Sequence, residues 1–143
     1  MRLVVQRVNK ASVTVAATQK ISGKINKGLF VLIGIKKGDS LKQAEELAKK
    51  IVKLRIMADL SEKMNLVSNE ILAVSQFTLY ANTKDGNRPS FTEAEEPEKA
   101  KEIYEFFVRK IRECGILVQT GSFGEYMKIE AELDGPVTII FEN

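Results

Sequence analysis

The sequence predicts an α+β fold with a mainly antiparallel β-sheet or barrel-like core and two principal helices. Strand patterns occupy the first third of the chain, two later segments have helical periodicity, and strand patterns return at the end. This order favours a sheet with helices packed against it rather than a strict strand–helix repeat. A length of 143 residues fits a single domain over 1–143.

Two strands are predicted in the first third. Ala11, Val13 and Val15 alternate with polar residues, which is typical of a half-buried strand. The continuous apolar run 29–35 follows Lys27 and Gly28. It indicates a central strand covered on both faces.

Two helices follow. Ser40 and Gln43 have capping-box spacing, and apolar residues then recur on one helical face. The second helix is bounded by Pro97, which suits its first position, and by Gly115, which suits the left-handed residue after its end. Cys114 falls in the last turn, where a buried, inert thiol is expected.

The last third returns to strand. Apolar and charged residues alternate over 127–133, which is typical of an antiparallel strand with one solvated face. Leu133 continues the alternation and is predicted to belong to the core. The tripeptide 134–136 predicts an interruption before a short final strand over 137–141.

Composition excludes several kinds of active site. The chain has no histidine, so neither a Ser-His-Asp triad nor a histidine zinc site is possible. A single cysteine excludes an intrachain disulfide and predicts a reducing compartment. No ligand spacing implies a metal or another cofactor. The net charge of +3 permits an RNA partner without requiring one.

Targeting signals are not evident in the sequence. The first residues become polar too early for the apolar centre of a signal peptide. The run 29–35 is the longest apolar segment, and it is far too short to span a bilayer. A cytoplasmic protein without a membrane partner is therefore expected.

Two short segments carry the candidate chemistry. The apolar strand 71–74 runs directly into Ser75, Gln76, Phe77 and Thr78. Hydroxyl and amide side chains at a strand end either satisfy local backbone groups or open into a pocket. Residues 134–136 form either an ordinary turn or a segment of restricted backbone geometry, because glycine permits close approach and an X-Pro bond can be cis.

In order along the chain, these segments resemble the D-aminoacyl-tRNA deacylase family. The resemblance is carried by 75–81, 87–91 and 135–138, supported by 63–66 and by 120–124 with Met127. It covers essentially the whole chain, with 1–15 similar to the family's opening strand pair. One position departs from the family: Leu133 stands where an asparagine is usual.

The resemblance implies hydrolysis of the ester between a D-amino acid, or glycine mischarged on alanine tRNA, and the terminal adenosine of tRNA. Such an enzyme serves translation quality control. The family acts as a homodimer with its active site at the interface. Gly135 and Pro136, joined by a cis bond, would reach the partner's pocket, hold the substrate amino group with their carbonyls and block an L side chain. Backbone groups would then exclude L-amino acids whatever the identity of the side chain.

Catalytic roles follow from the same resemblance and from the available groups. The Phe77 N–H is the predicted oxyanion donor, with Ser75 and Gln76 organising the carbonyl and a water. Thr78 is either a nucleophile or a positioning residue. A hydroxyl nucleophile needs a base, and 75–80 contain none. Attack by water, assisted by the 2′-hydroxyl of the adenosine, is therefore the preferred mechanism.

The remaining predicted contacts concern the tRNA end. Phe123 and Met127 match the family positions that sandwich the adenine. Lys84 and Arg88 are either tRNA contacts or exposed loop charges. Arg7 has no evident partner. Two other readings remain: a non-catalytic RNA-binding protein on this fold, or a relative of relaxed chirality that acts on certain L-aminoacyl-tRNAs, as a trans Gly135–Pro136 bond would favour.

Overall fold

The computed structural model describes residues 1–84 and 86–143 and confirms the α+β class. The strands and helices, in chain order, are β1 Arg2–Val15, β2 Lys20–Ile25, β3 Gly28–Gly34, α1 Leu41–Ile51, β4 Met57–Ala58, β5 Met64–Leu66, β6 Glu70–Ser75, α2 Pro97–Glu113, β7 Leu117–Thr120 and β8 Met127–Glu142. A short 3₁₀-helix, Phe77–Tyr80, follows β6. No helix within the described residues is long and apolar enough to cross a membrane.

The main sheet has six strands and curls towards a barrel. Five of them lie in the order β2-β1-β3-β6-β7, and β8 pairs with β1. Pairing is antiparallel around β1, whereas β3–β6 and β6–β7 are parallel. The two ends of this order approach each other at Gly23, where a Cβ atom would lie 2.7 Å from the Thr120 carbonyl oxygen. The absence of a side chain there permits the near closure.

Both faces of the central strands are covered, as the apolar run 29–35 predicts. Leu29, Val31 and Ile33 point into a cluster that also contains the buried faces of α1 and α2. Phe30 lies in a second cluster formed with β1, β2 and β6. β6 shows the same alternation between the two clusters. It is therefore held rigidly up to the point where its polar residues begin.

Both helices begin as predicted, and the second also ends as predicted. Ser40 and Gln43 form the reciprocal capping box, in which the Ser40 N–H donates to Gln43 Oε1 at 2.9 Å. Pro97 opens α2, and Gly115 follows it with φ +82°. The apolar stripe of α2 is buried around Phe107, which has no solvent exposure.

Four details differ from the sequence-based predictions. The predicted interruption at 134–136 does not separate a short final strand over 137–141, because β8 continues through these residues with a bulge. β1 is one continuous strand of 14 residues rather than a strand pair, because β8 pairs with it along its whole length. Cys114 is exposed rather than buried, since it caps the end of α2 beyond the apolar stripe. Leu133 is 46% exposed and therefore not a core residue. It pairs with Val8 beside a bulge in β8, a strand whose 16 residues are all partly or fully exposed.

Candidate active site

The end of β6 places the predicted catalytic segment at the edge of the sheet. Ser75, the last residue of β6, is in register with Ile33 of β3. The N–H of Gln76 donates to the Ile33 carbonyl at 2.7 Å, which extends the pairing by one step. Ser75 and Gln76 are half-buried, whereas Phe77 and Thr78 are exposed. The change from buried strand to accessible polar residues therefore takes place within four residues.

The 3₁₀-helix is held against β3 by close packing on a glycine. A Cβ atom at Gly34 would lie 2.9 Å from the Leu79 Cβ and 3.3 Å from the Gln76 carbonyl oxygen. From the other side, Arg2 Nη1 donates to the Leu79 carbonyl at 2.6 Å, and its guanidinium lies 4.9 Å from the centre of the Tyr80 ring. Burial raises the pKa of Tyr80 to about 12, so its phenol stays neutral at ordinary pH.

The polar groups of this segment can orient an ester and a water. The Phe77 N–H occupies the first position of the 3₁₀-helix and so has no acceptor within that helix. The Gln76 side-chain amide donates to Thr78 Oγ1 at 2.5 Å. An amide cannot accept a proton from that hydroxyl, so this contact orients Thr78 without activating it as a nucleophile.

An open cleft of about 960 Å³ lies beside this strand end. Five predicted site residues line it together: Ser75, Gln76, Phe77, Phe123 and Met127. Thr78, which was predicted with them, is not among the lining residues. A further part of the lining comes from the chain that enters α2 and includes Phe91 and Glu95. Phe91 packs edge-on against Phe77, with ring centres 5.1 Å apart. The cleft is thus polar at the strand end and aromatic along its sides.

The loop between β7 and β8 contacts Met127, whereas Phe123 in that loop contacts α2. The Ser122 N–H lies 3.3 Å from Met127 Sδ, and a Cβ atom at Gly121 would lie 2.9 Å from the same sulfur. The Phe123 ring centre is 5.7 Å from that of Tyr104, whose buried hydroxyl donates to the Ala73 carbonyl at 2.9 Å. Burial raises the pKa of this phenol, which keeps it a hydrogen-bond donor. An aromatic ring and a thioether therefore form one wall of the cleft.

Gly135 and Pro136 lie outside this cleft, in the exposed bulge of β8. Their peptide bond is cis. Gly135 has φ +125°, and a Cβ atom there would lie 2.8 Å from the Val137 nitrogen, so the backbone requires glycine. Within one chain, the structure does not bring this segment together with the strand end of β6.

Sequence reasoning missed the partner of Arg7. Arg7 Nε lies 2.9 Å from Asp134 Oδ2 and forms an ion pair with it, although within the described residues this nitrogen makes no hydrogen bond. Arg7 Nη1 donates to the Ile56 carbonyl at 2.8 Å. The Arg7 side chain is only 12% exposed, so the pair anchors the residue immediately before Gly135. No periodic pattern pointed to this contact, because it depends on the bulge.

Lys84 and Arg88 are exposed and do not line the cleft. They lie in a loop whose ends are joined by paired hydrogen bonds between Asn82 and Ser90. The loop therefore starts and finishes close to Phe91. Contact with a nucleic acid stays a prediction for both residues.

Glu95 is a wall residue that the sequence did not single out. Its side chain is only 7% exposed and accepts from Lys99 Nζ at 2.8 Å and from the Gly38 N–H at 3.3 Å. The hydrogen bond from Lys99, helped by backbone donors, lowers the pKa of Glu95 to about 2. Its place two residues before the start of α2 was the available signal. Within 1–84 and 86–143 no cluster of three or more acidic, cysteine or histidine residues forms a metal site.

Comparison with known proteins assigns the family. The family model described as D-Tyr-tRNA(Tyr) deacylase matches residues 4–142. The chain belongs to the D-Tyr-tRNA(Tyr) deacylase family. It is 53% identical to the D-aminoacyl-tRNA deacylase of Thermosipho melanesiensis, over 100% of this chain and 97% of that protein. It is 52% identical to the protein of the same name from Aquifex aeolicus, over 100% and 98%.

Two solved structures share the fold of this chain. A structure described as c-Myc DNA unwinding element binding protein is 40% identical, with a TM-score of 0.91 over 100% of this chain and 99% of that one. A probable eukaryotic D-amino acid tRNA deacylase shares the fold, with a TM-score of 0.82 over 98% and 97% at 19% identity. Membership of the deacylase family makes the chain an enzyme of the hydrolase class.

Proposed function

We propose that this D-aminoacyl-tRNA deacylase hydrolyses the ester that joins a D-amino acid, or glycine mischarged on alanine tRNA, to the terminal adenosine of tRNA. The products are the free amino acid and tRNA. The observation that carries this proposal is the shared cleft, which Ser75, Gln76 and Phe77 line together with Phe123 and Met127. The first three residues suit a reacting carbonyl, and the last two suit an unpaired base.

The proposed chemistry uses water as the nucleophile. The water oxygen bonds to the ester carbonyl carbon, and the Phe77 N–H stabilises the negative charge that develops on the carbonyl oxygen. One such preorganised donor is worth roughly 3 kcal/mol of barrier. The substrate 2′-hydroxyl relays the water proton to the departing 3′-oxygen, so the free acid and the ribose diol form without a protein base. Ser75 and Gln76 hold the carbonyl end and the water.

Chirality is proposed to be enforced by Gly135 and Pro136 from a second copy of the chain. Their carbonyls would hold the substrate amino group and leave no room for an L side chain. Two features support a homodimer with shared sites. The motif lies outside its own cleft, and β8 carries exposed apolar side chains at Leu133 and Ile140. An edge strand of this kind is a common contact surface between chains.

The deciding assay compares hydrolysis of D-Tyr-tRNA, L-Tyr-tRNA and Gly-tRNA by the purified protein. We expect the D-ester and the glycyl ester to be cleaved and the L-ester to be spared. Cleavage of the L-ester alone would point to a relative of relaxed chirality. Cleavage of none, with tRNA still bound, would point to a non-catalytic RNA-binding protein. Either result contradicts the proposal.

Subunit complementation tests the shared site. One variant carries Gly135→Ala, and the other carries Ser75→Ala with Gln76→Ala. If each cleft uses its partner's motif, mixing and re-equilibrating the two inactive variants should restore about a quarter of wild-type activity, because half of the dimers have one intact site. Activity that stays absent in a mixture shown to contain mixed dimers would argue against the shared site.

Thr78 is proposed to position substrate rather than to attack it. Thr78→Ala is expected to retain substantial activity, because water is the nucleophile and the hydrogen bond from Gln76 does not activate the hydroxyl. Thr78→Ser serves as the matched control that keeps the hydroxyl. Complete inactivation by Thr78→Ala, with folding and tRNA binding preserved, would restore Thr78 as the nucleophile.

Lys84 and Arg88 are proposed to contact phosphates of the acceptor end. The support is their exposure in a loop that returns to Phe91 at the cleft. Contacts of this type fix position without reading sequence.

A further inference from the structure

We propose that Tyr126 is a stacking subsite for the unpaired base that precedes the terminal adenosine, an inference that rests on the proposed function. Tyr126 is 84% exposed, which makes it the most exposed aromatic side chain among the described residues. It nevertheless lines the same cleft as Phe123 and Met127. An aromatic ring at the mouth of a cleft that accepts a nucleoside is positioned for the next nucleotide of the strand.

The backbone that carries Tyr126 is fixed although its ring is free. The Tyr126 carbonyl accepts from the Ala16 N–H at 2.9 Å, which ties it to the end of β1. Met127, the next residue, begins β8 in register with Val15. Before it, the Glu125 N–H donates to the Ser122 carbonyl at 3.3 Å. A tyrosine on such a support loses little conformational entropy when a ligand covers its ring.

The charges around Tyr126 favour a base rather than a phosphate as its ligand. Glu125 also lines the cleft and would repel a phosphate. The Lys128 ammonium lies 3.7 Å from Glu130 and is partly neutralised by it. A nucleobase has a π-face that stacks on an aromatic ring with little dependence on sequence, and single-stranded ends present such faces. The enzyme would thus recognise the end of a strand rather than adenosine alone.

The test compares two substrates that differ only in the nucleotides before the adenosine. For each variant, kcat/KM is measured on D-Tyr-tRNA and on the D-tyrosyl ester of adenosine, and the ratio of the two values is the readout. Tyr126→Ala should lower this ratio about tenfold, mainly through KM on the tRNA substrate, as expected for the loss of one base stack. Tyr126→Phe, which keeps an aromatic ring, should show the same ratio as the wild type. Leu60→Ala, at a fully exposed residue between β4 and β5, is the control for loss of an exposed side chain.

A binding measurement gives a readout that does not need turnover. Titration of the wild type and of Tyr126→Ala with an uncharged CCA trinucleotide and with adenosine monophosphate should show weaker trinucleotide binding by the variant and a smaller change for the mononucleotide. If the wild type hydrolyses neither ester, the proposed function fails, and this comparison still decides the subsite.

Three results would overturn the inference. Equal losses of affinity for the trinucleotide and for adenosine monophosphate would place Tyr126 in the adenosine pocket alone. An unchanged ratio of kcat/KM values together with unchanged trinucleotide binding would show that Tyr126 does not contact the substrate. If Tyr126→Ala weakens the association of subunits and leaves the ratio of kcat/KM values unchanged, Tyr126 belongs to a contact between copies of the chain.

Discussion

The strand end of β6 and the bulge of β8 both expose polar backbone, but they are held in opposite ways. Residues 75–80 continue a buried strand, pack on Gly34 and receive a hydrogen bond from Arg2. Gly135 and Pro136 lie on a strand whose residues are all partly or fully exposed, with the Arg7–Asp134 pair beside them. The first region is positioned by its own core and faces its own cleft. The second presents its groups away from that cleft, where another molecule can meet them.

The largest effect is expected from Gly34→Ala, which disturbs the packing of the 3₁₀-helix that follows the strand end. The new Cβ would lie 2.9 Å from the Leu79 Cβ and 3.2 Å from the Tyr80 ring, so the 3₁₀-helix must shift. We expect a loss of about 1–3 kcal/mol in the free energy of unfolding, as for overpacking of a well-packed site. The value of kcat/KM should fall by about 100-fold, because displacement of reacting groups by about 1 Å is costly. Denaturant unfolding and the D-Tyr-tRNA assay measure the two effects.

Gly115→Ala separates instability from misplacement. This glycine has φ +82° and nothing within 4 Å of its Cβ position, so alanine would be strained but would displace no neighbour. The expected loss of stability, about 1–2 kcal/mol, is comparable to that of Gly34→Ala, whereas kcat/KM should not change. Equal losses of activity in the two variants would refute the view that Gly34 acts by positioning the 3₁₀-helix.

Asp134→Asn tests the support of the second region. The change keeps the shape of the side chain but leaves the charge of Arg7, which is 12% exposed, without its partner. We expect a loss of about 1–3 kcal/mol in stability and weaker discrimination between D- and L-Tyr-tRNA. Glu132→Gln is the matched control, because it breaks the exposed Lys10–Glu132 pair on the same strand and should cost about 0.5 kcal/mol or less. Similar selectivity in both variants would show that Asp134 does not hold the bulge.

The same comparison shows what the sequence could predict. Local patterns identified the helix boundaries at Ser40 and Pro97, because caps and first-turn residues act within a few positions. The resemblance placed Ser75 and Phe123 in one cleft, and the structure brings both there. The exposure of Leu133 could not be predicted, since its alternating pattern is the same whether or not another layer covers β8.

Contacts between segments that are distant in the sequence could not be predicted either. The Arg7–Asp134 pair depends on how a bulge changes the register of β8 against β1, and no single strand pattern contains that information. The parallel pairing of β3 with β6 depends on how the intervening chain crosses the sheet. The sequence therefore predicted the elements and the chemical groups, whereas the fold decided which groups meet.

Arg2→Met should have a smaller effect than Gly34→Ala or Asp134→Asn. The effect should be confined to the strand end of β6 and its 3₁₀-helix. It removes the hydrogen bond to the Leu79 carbonyl while keeping the aliphatic contact with Tyr80. We expect a loss of about 1–2 kcal/mol in stability, as for a hydrogen bond from a charged donor, and a several-fold lower kcat. Glu142→Gln breaks only the exposed Arg2–Glu142 pair and should leave kcat unchanged. Equal kcat values for wild type and Arg2→Met would contradict a positioning role.

The smallest effect is expected from lowering the pH, through the carboxylate of Glu95 in the lining of the cleft. Its pKa is lowered to about 2 from 4.5, chiefly by the hydrogen bond from Lys99, so its ionised form stabilises the folded state. Because the folded-state pKa is the lower one, this contribution is complete above about pH 4.5 and is lost as the pH falls towards 2. The difference in Tm between wild type and Glu95→Gln should be constant near neutrality and shrink across that interval. Lys99→Met removes the main cause of the shift and should reduce this pH dependence, whereas a Tm difference that stays constant down to pH 2 would show that the Glu95 carboxylate does not stabilise the folded state.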